Sequence, residues 1–200
     1  MRSPRLAVAG IFFLSGALVG VWASRIPAVA MSLDLSESTL GLLLLCLAAG
    51  AIVSFPMAGW AADRFGAARV SRVLGLAYCV MLILVGLAPS VWLLDVALLF
   101  FGAGHGALDV AMNTWAAAVE RSLGKVIMSS FHAVFSLGAG LDAAAGAGAV
   151  ALGLSVPVHF ALAAIIMGAP ILWLAMVPWV DVPPSTKNKA PLFLLPMDAV

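Results

Sequence analysis

Charge is scarce in this sequence. Only 10% of its 200 residues are Asp, Glu, Lys or Arg, 64% are apolar, and the mean hydropathy is +1.16. A soluble domain carries roughly 25% charged residues, so a chain this poor in charge is expected to face lipid rather than water. The net charge of +1 is uninformative about partners, and no nucleic acid is expected among them. Cysteine is scarce too: Cys46 and Cys79 both fall inside apolar runs, where a thiol packs as a small apolar group and says nothing about redox compartment. There is no Cys/His metal spacing and no Gly-x-x-x-x-Gly-Lys loop, and Ser129, Ser130 and His132 have no Gly-x-Ser-x-Gly setting. Metal, cofactor and enzyme chemistry are therefore not expected. The apolar runs are continuous instead of alternating, which argues for helices over a barrel.

What is present is a series of charge-free stretches long enough to cross a hydrocarbon layer of about 30 Å. Charges, Pro and Gly punctuate them into six predicted spans, at about 6–31, 38–62, 68–88, 91–119, 126–153 and 156–180, followed by a polar linker over 181–200. Arg2 and Arg5 ahead of the first run imitate a secretory signal, but that run is longer than a signal core, and further spans follow it. Between the fifth and sixth spans no charge intervenes, and the break is placed on Leu152-Gly153-Leu154-Ser155-Val156-Pro157. Arg2, Arg5, Arg64, Arg69, Arg72, Arg121, Lys125, Lys187 and Lys189 fall on one side of this topology and Arg25 alone on the other. The positive-inside rule then puts both termini in the cytoplasm.

Ionisable residues inside the spans cost roughly 2.5–3.5 kcal/mol each on insertion scales, so each needs a partner, a cavity or a function. Asp109 is the clearest, about 27 Å along the fourth span at about 1.5 Å per residue. His105, Asp109 and Asn113 recur at i, i+4, i+8 and form one polar stripe, with Gly102 and Gly106 close to that face. Two readings stay open: a polar network that glues helices together, or a cavity wall where Asp109 exchanges a proton or binds a polar solute. Trp22 and Arg25, one turn apart before Pro27, either anchor and snorkel at the outer interface or shape the outer mouth of a cavity. On the fifth span Asp142 is either a hydrogen-bonded acid in a Gly-rich seam or a second acid in a relay, and His132 lies near the cytoplasmic end.

The island between the second and third spans carries Gly59, Asp63, Arg64 and Gly66, followed by Arg69. It resembles the signature loop of the major facilitator superfamily, with Ala67 and Ala68 where the family usually has two basic residues. The resemblance implies a gating role for the acid and base of that loop. Gly102-x-Gly104-x-Gly106-x-x-Asp109-x-x-x-Asn113 is similar to the fourth helix of the fucose-permease-like branch, which implies proton coupling at Asp109 and solute binding at Asn113. Arg25 stands where fucose permeases have an acid, and the fifth span lacks the Gly-Pro signature of drug/proton antiporters, which favours import. The implied fold is an all-α, six-helix bundle of two inverted three-helix repeats, half of a twelve-helix transporter. Its implied partners are a small polar solute, protons, and a second six-helix half or a second copy of the chain. An efflux half and a bundle without transport activity are the alternative readings.

Overall fold

The computed structural model describes residues 3–180, and the expected linker over 181–200 lies outside them. The described residues form six helices: α1 (Pro4–Ser32), α2 (Glu37–Phe65), α3 (Ala67–Gly86), α4 (Val91–Leu123), α5 (Met128–Ala151) and α6 (Val156–Ala175). All six are long and apolar enough to cross a membrane. Serines start three of them: Ser3, Ser36 and Ser90 accept from the amides of Leu6, Thr39 and Leu93, satisfying donors that a first turn leaves open.

The ends of α2, α4 and α6 depart from the sequence expectation, α4 continuing to Leu123 past the expected 119. The island is not a loop: α2 runs straight through Asp63, Arg64 and Phe65, and the turn into α3 is made by Gly66 alone, at φ 90° and ψ 131°. A base such as Arg64 suits the last turn of a helix, so charge marked the membrane edge without marking the helix end. At the other end of the chain α6 stops at Ala175, five residues before the expected 180. Val177 precedes Pro178, and the residue before a proline is pushed out of the helical region.

The packing partners follow a rule. The closest pairs are α1 with α5 and α2 with α4, followed by α3 with α4, α1 with α6, and α3 with α6. Exchanging α1 with α4, α2 with α5 and α3 with α6 turns each of these pairs into another of the set or into itself, as two superposable three-helix repeats require. The two closest pairs depend on glycine. A methyl group on Gly102 would land on the carbonyl of Leu47 in α2, and one on Gly16 would land on the carbonyl of Phe135 in α5. Small residues at such crossings let backbones approach where lipid gives no hydrophobic drive to helix association. In consequence α1 is the most enclosed helix, with 67% of its most apolar window buried, whereas α2 and α5 lie on the flanks with 11% and 17%.

Candidate functional site

The polar stripe of α4 lies between the flanking helices. Gly106 packs on Ala51 of α2 at one edge of the stripe, and His105 faces Phe135 of α5 at the other, with ring centroids 6.4 Å apart. Gly102 and Gly106 therefore serve the α2 seam and do not line open space. Asp109 and Asn113 are both partly exposed between those edges. Asn113 Nδ2 donates to the Asp109 carbonyl at 2.8 Å and to its carboxylate Oδ1 at 3.1 Å, so the two act as one unit. No cation pairs with the Asp109 carboxylate among the described residues. An acid held this way, without a neutralising partner, can take up and release a proton and can accept a hydrogen bond from a hydroxyl. His105 shares the stripe but turns inward: its ring lies against Tyr78 of α3 at 5.6 Å, and its enclosed Nδ1 has no partner.

Trp22 and Arg25 do not reach that space, which corrects their expected place at the outer mouth of a cavity. Both are 4% exposed, whereas Ala23 and Pro27 on the opposite face of α1 are open. Trp22 stands edge-on to Phe101 of α4 and Phe160 of α6, at 6.4 and 6.3 Å. Arg25 Nη2 donates to the carbonyl of Leu154 between α5 and α6, at 2.7 Å. Spacing correctly put the two on one face but could not tell which neighbours that face would meet. Asp142 is partly buried on α5, and His132 is exposed with its ring edge-on to Phe12 at 5.2 Å. Among the described residues no hydrogen bond or ring contact joins either of them to Asp109.

The arginine-rich end is a separate centre. A cleft of about 530 Å³ is lined by Asp63, Arg64, Gly66 and Arg69 together with Arg72, Thr114, Arg121 and Trp179. Asp63 and Arg69 are exposed, and Arg64 lies 5.9 Å from the centre of the Trp60 ring and 5.8 Å from that of Phe65. Gly59 sits one turn earlier on α2, with open space around it.

The family model of the Major Facilitator Superfamily matches residues 7–196, almost the whole chain. The chain belongs to the major facilitator superfamily. It is 44% identical over 168 residues to an uncharacterized transporter of Sinorhizobium fredii, an alignment covering 84% of this chain and 45% of that protein. It is 37% identical over 148 residues to an uncharacterized MFS-type transporter of Yersinia pestis, covering 74% and 37%. It is 32% identical over 109 residues to a probable sulfoacetate transporter of Cupriavidus necator, covering 52% and 25%. The chain thus spans less than half the length of these curated relatives. As a superfamily member it is a multi-pass membrane protein.

Two residues that hold helix ends, Arg72 and Glu120, escaped the sequence reading. Arg72, counted there only as a positive charge, donates Nε to the Ala175 carbonyl at 2.9 Å and Nη2 to the Val177 carbonyl at 2.8 Å. Its guanidinium also lies 5.2 Å from the centre of the Trp115 ring. It therefore caps the C-terminus of α6 from one turn inside α3, matching a cation to the negative end of a helix. Glu120 accepts from the amides of Ile127 and Met128, both at 2.7 Å, and does the converse at the start of α5. Three bases around one turn, Arg64, Arg69 and Arg72, were the available signal for Arg72; nothing in the sequence pointed to its partner.

Proposed function

We propose that this chain is one half of a proton-coupled importer for a small polar, sugar-like solute, working by alternating access with a second six-helix half or a second copy of itself. The observation that carries the reading is Asp109: an acid partway along a membrane helix, braced by Asn113 and left without a cation. Asp109 carries the proton, and Asn113 binds solute on the strip between α2 and α5. His105 supports the strip from behind through Tyr78, and Trp22 backs the same wall from the bundle interior. Arg25 ties that wall to the α5–α6 connection, and Asp142 and His132 on α5 extend the polar route.

The exposed surfaces of α2 and α5 meet the other half in this scheme, with the arginine-rich end in the cytoplasm and both termini there, in a bacterial inner membrane. Asp63, Arg64 and Arg69 gate that end, with Gly66 setting the turn and Gly59 leaving room for the opposing surface. The test is uptake of a panel of monosaccharides by cells carrying the complete transporter, wild type and Asp109→Asn. The variant is expected to lose accumulation driven by a pH gradient while keeping solute exchange between equal pools. Unchanged proton-driven accumulation in a well-inserted variant refutes the assignment.

A further inference from the structure

At the end of the bundle opposite the arginine-rich cleft, unpaired polar atoms gather where α1 passes the start of α6. Arg25 is 4% exposed and spends one donor on the Leu154 carbonyl. Its enclosed Nε and Nη1 have no partner, which leaves three of the five guanidinium N–H donors on those atoms unused. Among the described residues no acid pairs with it. His159, 7% exposed, holds its Nδ1 in the same condition and lies within electrostatic range of Arg25.

Leu154 leads directly into Ser155, the N-cap of α6, and that serine makes no side-chain cap bond. Its failure to close leaves the first-turn amides of Val156 and Val158 without a side-chain acceptor, at the positive end of a 20-residue helix. A guanidinium, an imidazole and an uncapped helix start thus converge. A buried cation without a counter-charge carries a desolvation penalty, and a helix N-terminus adds to the positive potential instead of relieving it.

We propose that this end of the bundle is an oxyanion site, taking a carboxylate, sulfonate or phosphate group between Arg25, His159 and the first turn of α6. The site lies on the face of α1 turned away from Ala23 and Pro27, behind the wall and apart from the Asp109 strip. It therefore does not depend on the solute or coupling assigned above. Leu152, Gly153 and Ser155 are exposed, so an anion reaches the site from the aqueous side of the α5–α6 connection. The same chemistry could be supplied by a dissolved anion or by the phosphate of a lipid headgroup at that surface.

The test is thermal unfolding of the chain in dodecyl maltoside micelles, which hold no phosphate, titrated with methanesulfonate or inorganic phosphate at ionic strength held constant with sodium chloride. Wild type should show a saturable rise in Tm, on the order of 5 °C at a hundredfold excess over Kd. Arg25→Gln should abolish the rise, and Arg25→Lys should keep part of it. Ser155→Asp guards against misfolding of the arginine variants. Aspartate is a favoured N-cap, so this variant should start at or above the wild-type Tm and lose the anion response, because its own carboxylate fills the site. Repeating the titration after adding phosphatidylglycerol to the micelles separates the sources: a response that disappears there identifies the lipid phosphate as the occupant, and one that persists identifies a dissolved anion. A rise that does not saturate and is equal in wild type and Ser155→Asp overturns the proposal, as does a wild type that responds neither in lipid-free micelles nor with the lipid added.

Discussion

Arg72→Ala should be among the most damaging single changes at the arginine-rich end, although nothing in the sequence points to its partners. The substitution removes two charge-assisted hydrogen bonds, to the carbonyls of Ala175 and Val177, and the contact with Trp115. Bonds from a charged donor contribute about 1.5–3 kcal/mol each and a cation–π contact about 0.5–1 kcal/mol. Arg72 is half-buried, so solvent takes back part of that, and a net loss of roughly 3 kcal/mol is expected. At about 2–4 °C per kcal/mol for a chain of this size, Tm should fall by roughly 6–12 °C in detergent. Arg72→Lys sharpens the test, because one ammonium keeps the charge yet cannot span two carbonyls in a fixed fork, and about half of the loss should remain. Hydrogen exchange gives a local readout: amides over residues 173–177 should exchange faster in Arg72→Ala while those of α1 stay protected. An Arg72→Ala protein within about 1 °C of wild type, or an Arg72→Lys protein that equals wild type, would show that the fork does not hold the end of α6.

Gly102→Ala and Gly140→Ala make the same chemical change with opposite expected signs. The first drives a methyl into the Leu47 carbonyl and should destabilise by about 1–3 kcal/mol, while the second meets nothing and should be neutral or stabilising by up to about 1 kcal/mol. Equal shifts in the two unfolding curves would refute the seam. Gly66→Ala should cost about 1–3 kcal/mol, since φ 90° with ψ 131° suits glycine alone; an unchanged unfolding midpoint would mean that α2 and α3 can meet another way.

The number and type of the helices were legible because hydrocarbon imposes a length and excludes charge, and those two rules need no tertiary information. Helix ends were less legible. The stretch from Asp63 to Phe65 was read as loop because charge marks the membrane surface, while helical hydrogen bonding continues past that surface until Gly66. The Asp109–Asn113 pair could be read from its spacing, since both partners lie on one helix. Long-range partners could not: Arg72 meets Ala175 across 103 residues, and Arg25 meets Leu154 across 129. For the same reason Trp22 and Arg25 were set on the right face and given the wrong neighbours.

The glycine crossing of α1 with α5 has a consequence for how the protein is made. Gly16 meets Phe135 and Gly20 meets Ala139, so the two sides of this seam leave the ribosome well over a hundred residues apart. At about 5–20 residues per second, the first helix waits on the order of 6–25 s for its main partner. It is also the helix that carries Arg25, and the carbonyl that receives this arginine is synthesised later still. The part of the molecule most deeply enclosed at the end is therefore the part held longest without shelter during synthesis, and it is where the insertion machinery has to keep a nascent chain in custody.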